Sequence, residues 1–319
     1  MKIFTSVLCV ALLGSTAFAA SEEPVKLATP TGTLYGTLNA PAAPARVPVV
    51  LLIAGSGPTD RDGNSAGIAG KNNNLQMLAA ALAEAGYASV RYDKRGVGAS
   101  VGAATREADL RFDDYVKDAA AWVSSLSANN RFSGVAIVGH SEGSLIGMLA
   151  AQKNPKVPFV SIAGAAAPAG TLLRQQLKTR LPPDLETQSD AIIAGLEARK
   201  LSAQVPTPLL SIYRVSVQPY LISWFKYVPT KELDKLTAPC LILQGDTDIQ
   251  VAVTEGMDLY AAHQSCELKI VNGMNHVMKM VPAIVERQVA SYGDPTLPLA
   301  PVLVSTLTQF LGKAFTAAP

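Results

Sequence analysis

Short apolar runs alternate with helix-length segments along most of this chain. Residues 47–54, 87–92 and 135–138 are apolar runs with the length and composition of buried strands. Residues 75–85 and 110–126 lie between these runs and carry apolar positions at helical spacing. Because strands that alternate with helices form parallel sheets, the pattern predicts an α/β protein with a doubly wound, mostly parallel sheet.

Two segments depart from this alternation. Residues 25–28 and 33–39 flank the turn sequence TPTG, which predicts an antiparallel hairpin ahead of the sheet. Residues 170–235 are helix-like and loop-like and contain several aromatic side chains, and an apolar run from Cys240 follows them. We interpret residues 170–235 as a helical cap inserted into one core, made of residues 20–169 and 236–319. A second independent domain is the alternative.

The first 19 residues have the composition of a secretory signal peptide. Lys2 precedes an apolar stretch, residues 3–13, that is too short to span a bilayer, and residues 17–19 read Ala-Phe-Ala, a small-x-small cleavage pattern. We therefore expect cleavage after Ala19 and export to the periplasm or out of the cell, without a stable membrane anchor. An uncleaved N-terminal anchor is the alternative.

The length, composition and charge of the chain limit the classes of protein to which it can belong. A chain of 319 residues, 49% hydrophobic and 16% charged, can bury a substantial core. The net charge is +2 and the lysines and arginines form no dense cluster, so nucleic acid is not an expected partner. The sequence leaves the oligomeric state open.

Two cysteines, Cys240 and Cys266, remain after the expected cleavage. Both stand just before apolar runs, at 241–243 and 268–271, which we predict to be adjacent parallel strands entered from the same end. An exported protein meets oxidising surroundings. A disulfide between the two and a pair of buried free thiols are both compatible with the sequence.

The pentapeptide GHSEG at residues 139–143 lies between the apolar run 135–138 and a helix-like run at 145–151. A tight turn between a strand and a helix exposes a serine hydroxyl to a base and to backbone amides, and the flanking glycines allow the turn. The context predicts that Ser141 is a nucleophile. A chance match is the alternative, because the chain contains 24 glycines.

A nucleophilic serine needs a base, and the chain has three histidines. His140 adjoins Ser141, so we expect its side chain to point away from the serine. His263 is expected at a helix end or on the surface. His276 follows the run 268–271 at the carboxyl end of a predicted strand, where catalytic residues of open α/β sheets gather. It is the predicted base.

The base needs an acid that orients it, and two aspartates compete. Asp248 lies further along the loop that follows the strand-like run 241–243 and can reach a histidine on the next strand's loop. Asp246 follows the strand directly, where a short carboxylate more often accepts amides of its own turn. We favour Asp248, with Asp246 as the alternative.

The chain order Ser141, Asp248, His276, each after a predicted strand, resembles the α/β-hydrolase superfamily over nearly the whole mature chain. Residues 91–100, RYDKRGVGAS, are similar to the DxRGxGxS loop of many such hydrolases. The resemblance implies a structural role for Asp93 and Arg95, tying turns beneath the site. Within the superfamily, the chain resembles exported bacterial serine esterases of poorly defined substrate.

Loop 55–64 occupies the place of the superfamily's His-Gly oxyanion loop, although Ala54 stands where many relatives carry the histidine. An oxyanion hole needs two amides aimed at the developing charge, one of them from the residue after the nucleophile. We predict the backbone amides of Glu142 and Ser56, with Gly57 as the alternative to Ser56.

No metal and no cofactor are predicted. Asp60, Asp62 and Asn64 have the spacing of a calcium loop, but Lys71 stands where the closing acid would be. No Cys/His cluster in the sequence indicates zinc.

The predicted function is a serine hydrolase that cleaves small carboxylic esters through an acyl-enzyme intermediate. Two alternatives remain. One is a serine peptidase or amidase acting on small peptides, and the other is a catalytically silent hydrolase fold used for binding.

Overall fold

The computed structural model describes residues 21–42, 46–104, 106–178 and 180–316. The predicted signal segment 1–19 lies outside the described residues. Within the described ranges, eight strands form one sheet: β1 (Ser21–Thr29), β2 (Gly32–Ala40), β3 (Val47–Ile53), β4 (Ala88–Tyr92), β5 (Phe132–His140), β6 (Phe159–Ile162), β7 (Cys240–Gly245) and β8 (Glu267–Val271).

Helices occupy most of the remaining described chain. Three are short 3₁₀ helices, at Gly98–Ala103, Glu107–Asp109 and Thr207–Leu209. The α-helices are α1 (Asn74–Glu84), α2 (Phe112–Ser127), α3 (Glu142–Gln152), α4 (Ala169–Lys178), α5 (Pro183–Glu197), α6 (Leu210–Tyr213), α7 (Gln218–Phe225), α8 (Pro229–Leu233), α9 (Val253–Ala262), α10 (Val285–Ser291) and α11 (Pro301–Thr316).

The strands follow the order β1-β2-β4-β3-β5-β6-β7-β8 across the sheet. β1 and β2 form an antiparallel hairpin, β2 is antiparallel to β4, and every other neighbouring pair is parallel. This confirms the predicted α/β-hydrolase fold with its mostly parallel sheet and N-terminal hairpin. The hairpin is longer than predicted, because its pairing continues outward until Ser21 meets Ala40.

The sheet is buried on both faces, which explains the unbroken apolar run of β3. Val49, Leu51 and Ile53 pack into one core cluster, whose helical side includes residues of α2 and α3. Val50 and Leu52 face the other way, into a cluster with α1 and α11. A strand that alternates between two apolar surfaces needs no polar positions, as in parallel sheets covered by helices.

Helices α4 to α8 fill the interval between β6 and β7, where the sequence predicts a cap. β7 then pairs with β6 in the same sheet. The chain therefore returns to one sheet after these helices, and the division of residues 170–235 into a separate cap unit stays a prediction. Among the described residues, none of the helices has both the length and the apolar character needed to cross a membrane.

Cys240 and Cys266 form a disulfide. The parallel register of β7 and β8 pairs Leu241 with Glu267, so the two cysteines stand side by side at the amino-terminal ends of these strands. Their Cα atoms are 4.6 Å apart and both residues are buried. The bridge resolves the alternative that the sequence leaves open.

Thiol titration of the denatured protein should find two fewer free thiols before reduction than after it. Replacing both cysteines by alanine should lower the free energy of unfolding by about 3 kcal/mol, because the bridge closes a long loop in the unfolded chain. Equal thiol counts before and after reduction would contradict the bridge.

Candidate active site

Ser141 occupies the turn between β5 and α3 with φ 55° and ψ −120°. A non-glycine residue at such a positive φ costs roughly 1–3 kcal/mol, and surrounding structure must hold it there. Neighbouring backbone atoms leave no room for a side chain at either flanking glycine. A Cβ on Gly139 would lie 2.1 Å from the carbonyl oxygen of Gly143, and a Cβ on Gly143 would lie 2.3 Å from that of Ile53. The strained turn is typical of a nucleophile elbow.

The predicted acid and base are in direct contact. His276 Nδ1 donates a hydrogen bond of 2.8 Å to Asp248 Oδ2, and the two side chains are 6% and 0% exposed. The other carboxylate oxygen, Oδ1, accepts the amides of Gln250 and Val251 at 2.7 and 2.9 Å. Asp248 is therefore held by its own loop while it orients the imidazole.

The Asp248 carboxyl stays ionised at neutral pH. Burial acts to raise its pKa, but the charge of the His276 ring, the hydrogen bond from that ring and the two backbone amides outweigh burial, so the pKa lies below its ordinary value. Because an ionised carboxylate only accepts hydrogen bonds, His276 Nδ1 carries a hydrogen, and in the neutral imidazole the lone pair is therefore on Nε2. Nε2 can then accept a proton.

Ser141 and His276 line the same cavity, together with Gly55, Ser56 and His140. Among the described residues, the Ser141 hydroxyl has no hydrogen-bond partner, so the structure does not join it directly to His276. Such contacts in ligand-free sites are often long and tighten when the substrate binds. The structure thus joins Asp248 to His276 by a hydrogen bond and places Ser141 and His276 on the wall of one cavity.

The two amides predicted for the oxyanion hole flank Ser141. Glu142 is the first residue of α3, so its N–H has no partner within the helix. Ser56 lines both cavities that contain Ser141, whereas Gly57 lines a different one. The backbone amide of Ser56 donates to no described residue. These positions favour Ser56 over Gly57 as the second donor.

A buried ion pair, which the sequence analysis missed, lies beneath these donors. Lys94 Nζ donates to Glu142 Oε2 at 2.7 Å and to the carbonyl oxygen of Gly55 at 2.5 Å. The lysine also lies over the ring of Tyr115, 5.0 Å from its centroid. The carboxylate accepts a further hydrogen bond from the Tyr220 hydroxyl. Glu142 therefore contributes a structural side chain besides its amide.

The neighbours of Lys94 in the DxRGxGxS segment have the structural role that the resemblance implies. Asp93 accepts the amides of Arg61 and Ala99 and pairs with the Arg61 guanidinium at 2.6 Å. Arg95 pairs with Asp118 at 2.6 Å. Both side chains tie separate turns together below the site.

His140, whose side chain is predicted to point away from Ser141, lies beside the predicted base. Its ring centroid is 4.9 Å from that of His276, and its Nε2 lies 2.7 Å from the backbone oxygen of His276. Because a carbonyl only accepts, His140 Nε2 carries a hydrogen and donates it. Burial, followed by the nearby His276 charge, lowers the pKa of His140 to about 3. The ring is a neutral support for the base.

The remaining candidates have local contacts. His263 follows the last residue of α9, and its Nε2 lies 2.9 Å from Ser265 Oγ, as expected for a helix-end residue. Asp246 accepts a backbone amide, but from Gly273 in the next strand's loop rather than from its own turn. Asp246 can contact this neighbouring loop because the parallel strands β7 and β8 end side by side.

Loop 55–64 uses its polar side chains to hold its own turns and to fasten the loop to β4. Asp60 Oδ1 accepts the amides of Asp62 and Asn64, each at 2.9 Å. Asp62 pairs with Arg91 at 2.7 Å. These carboxylates therefore order the loop, which is a sufficient reason for the DxDxN spacing.

An apolar cavity of about 170 Å³ opens beside Ser141. Its walls come from helices between β6 and β7 and from the elbow, and include Leu145, Leu173, Leu221, Trp224 and Phe225. The cavity is shaped for a small apolar group attached to a reacting atom at Ser141.

A protein-family model described as serine aminopeptidase, S33, matches residues 65–280, which include Ser141, Asp248 and His276. In sequence, the chain is 24% identical over 248 residues to the esterase EstD of Thermotoga maritima, covering 77% of this chain and 58% of that relative. The chain therefore spans less than two thirds of the length of EstD.

Solved structures share the fold. Est1E from Butyrivibrio proteoclasticus superposes with a TM-score of 0.62 at 17% identity, over 92% of this chain and 99% of that one. A puromycin-hydrolyzing peptidase of Mycobacterium tuberculosis gives a TM-score of 0.59 at 18% identity, over 96% of this chain and 41% of that one. Esterases and a peptidase both lie among these neighbours.

The low pKa of His140 predicts a pH-dependent stability. Between an ordinary pKa of 6.5 and about 3, the unfolded chain binds a proton at His140 that the folded protein does not. Stability should therefore fall as the pH falls through this window, by up to about 1.4 kcal/mol per pH unit from this group.

His140→Gln keeps an amide N–H near the position of Nε2 but does not titrate. Denaturant unfolding between pH 4 and 7 should show a shallower loss of stability for this variant than for the natural protein. Equal slopes for the two proteins would contradict the low pKa.

Proposed function

Because the chain belongs to the serine aminopeptidase S33 family within the α/β hydrolases, we propose that it cleaves carboxylic esters through an acyl-enzyme formed on Ser141. The Asp248–His276 hydrogen bond carries this proposal, because it fixes a free imidazole nitrogen at the wall of the cavity that contains the serine. A silent fold used for binding would have no need of an oriented base beside a strained serine.

In the first step, His276 Nε2 takes the hydroxyl proton as Ser141 Oγ attacks the ester carbonyl carbon. The negative charge on the carbonyl oxygen is held by the amides of Ser56 and Glu142. Asp248 stabilises the imidazolium that forms. His276 then gives the proton to the leaving alcohol, and the acyl group remains on Ser141.

Water completes the cycle. His276 removes a proton from a water molecule, the resulting hydroxide attacks the acyl carbon, and Ser141 leaves with that proton. The carboxylic acid is released and the enzyme regains its starting state. Both halves of the reaction use the same pair of amides and the same base.

The apolar cavity favours an ester over an aminopeptidase substrate. A peptide with a free N-terminus carries an ammonium group, which needs a carboxylate or other acceptors near the reacting carbonyl. Glu142 is the one acidic residue among the described residues that line this cavity. Its carboxylate is already engaged by Lys94 and Tyr220.

We also propose that the protein works outside the cytoplasm. The leader-like segment 1–19 and the Cys240–Cys266 bridge support this, because disulfides persist in oxidising compartments. The proposal fails if the protein recovered from its own cells still begins at Met1.

Ser141→Ala should lower kcat for p-nitrophenyl butyrate by roughly 10³–10⁶-fold, because the acyl-enzyme cannot form. A fluorophosphonate probe should label the natural protein and leave this variant unlabelled. Ser144→Ala is the matched control, since it removes a buried hydroxyl of α3, the helix that follows Ser141, and this hydroxyl donates to Ser161 Oγ at 2.7 Å. The control should keep activity within an order of magnitude. Unchanged hydrolysis by Ser141→Ala would contradict the proposal.

Acyl length should be limited by the apolar cavity. The cavity of about 170 Å³ is small compared with the roughly 300–1,000 Å³ of pockets that take drug-sized ligands. We expect kcat/KM for p-nitrophenyl esters to be highest for short acyl chains, of roughly four to six carbons, and to fall steeply by about ten.

Leu173→Ala should extend the accepted length, because Leu173 lines the cavity. Leu177→Ala is the matched control: this leucine lies one turn further along α4 and packs against the same core cluster without lining the cavity. The same length limit in both variants would contradict the assignment.

Faster cleavage of aminoacyl p-nitroanilides than of any ester would favour a peptidase.

A further inference from the structure

We propose that Tyr220 is a positioning residue that couples the filling of the apolar cavity to the oxyanion hole. It acts through Glu142 and Lys94, which connect helix α7 to the peptide that carries the Ser56 amide. The inference rests on the proposed ester hydrolysis, and it concerns how a bound acyl group raises the rate rather than which residues react.

The first link is the peptide between Gly55 and Ser56. A peptide unit is planar, so the carbonyl of Gly55 and the N–H of Ser56 turn together and point in opposite directions. Lys94 Nζ holds this carbonyl at 2.5 Å. The lysine therefore fixes the direction of the N–H that we assign to the oxyanion hole.

The second link joins the two oxyanion donors. Lys94 also pairs with the side chain of Glu142, whose amide is the other donor. Both charged side chains are 1% exposed. Separating a buried ion pair leaves an uncompensated charge at a cost of several kcal/mol, so a displacement of Glu142 moves Lys94 with it.

The third link leads to the helices between β6 and β7. The Tyr220 hydroxyl donates to Glu142 Oε1, the carboxylate oxygen that Lys94 does not hold. Burial, and then the charge of Glu142, raises the pKa of Tyr220 well above its ordinary value, so the hydroxyl keeps its hydrogen. Tyr220 is in consequence a fixed donor from α7 to the elbow.

The same helix lines the apolar cavity. Leu221, Trp224 and Phe225 of α7 face the space beside Ser141. An acyl group that fills this space packs against α7 and supports Tyr220 in its position, whereas an acetyl group leaves most of the space empty. A fitting acyl group should therefore raise kcat by ordering the oxyanion donors, in addition to any gain in binding.

Tyr220→Phe tests this directly, because it removes only the hydroxyl and keeps the ring among its aromatic neighbours. Tyr213→Phe is the matched control. Tyr213 is a buried tyrosine whose hydroxyl lies 2.8 Å from Ser189 Oγ, on a neighbouring helix, away from Glu142. Each variant is assayed with p-nitrophenyl acetate and butyrate, and with a trifluoromethyl ketone that carries a butyl group and requires the oxyanion hole.

For Tyr220→Phe we expect kcat on the butyrate ester to fall about tenfold with KM within about twofold, a fraction of the loss seen when an oxyanion donor is removed. The ratio of kcat for butyrate to kcat for acetate should fall, because acetate hydrolysis does not depend on filling the cavity. The ketone should bind about tenfold more weakly. Tyr213→Phe should match the natural protein in all three measurements.

Two failures can be told apart. If the natural protein hydrolyses esters and Ser141→Ala does not, but Tyr220→Phe behaves like Tyr213→Phe, the coupling is wrong and the proposed function stands. If Ser141→Ala hydrolyses esters as fast as the natural protein, the proposed function itself is wrong. Should Tyr220→Phe fail to fold by circular dichroism, Glu142→Gln breaks the charge pair instead, and an unchanged butyrate-to-acetate ratio in that variant overturns the coupling.

Discussion

The ion pair between Lys94 and Glu142 is the interaction on which the rest of the site depends. Two opposite charges removed from water stabilise each other only in close contact, and either one alone would be costly to bury. The pair joins the turn after β4 to the first turn of α3, and the lysine's second bond adds the loop after β3. Three segments that are distant in the sequence are thus restricted to one arrangement around Ser141.

Much of the fold and the main catalytic candidates could be predicted, because both follow from local patterns combined with a general rule of parallel sheets. Apolar runs mark strands, and the loops at their carboxyl ends meet at one edge. This reasoning placed Ser141, Asp248 and His276 after three strands, which the structure describes as β5, β7 and β8, and favoured Asp248, whose hydrogen bond to His276 the structure shows. The disulfide stayed open at that stage because side-by-side cysteines require the register of β7 and β8, which a sequence pattern does not contain.

The supporting residues could not be predicted for a related reason. A lysine between an aspartate and an arginine looks the same whether it is solvated or buried, and only the three-dimensional neighbours of Lys94 distinguish the two. Tyr220 belongs to an aromatic-rich segment in which packing is the ordinary role of each ring. His140 adjoins Ser141 in the sequence, but only the three-dimensional structure shows that its ring lies beside His276 and that its Nε2 lies 2.7 Å from the backbone oxygen of that residue.

The Cys240–Cys266 bridge has a mechanical consequence for the opposite end of the strands it joins. β7 and β8 carry the Asp248 and His276 loops at their carboxyl ends, and the bridge fastens their amino ends. If one strand slid past the other by a single residue, the two loops would move by about 3.3 Å relative to each other. A movement of that size would break the 2.8 Å hydrogen bond between Asp248 and His276. The disulfide therefore opposes sliding of β7 against β8, and by doing so it maintains the alignment of the Asp248 and His276 loops at the other end of the two strands.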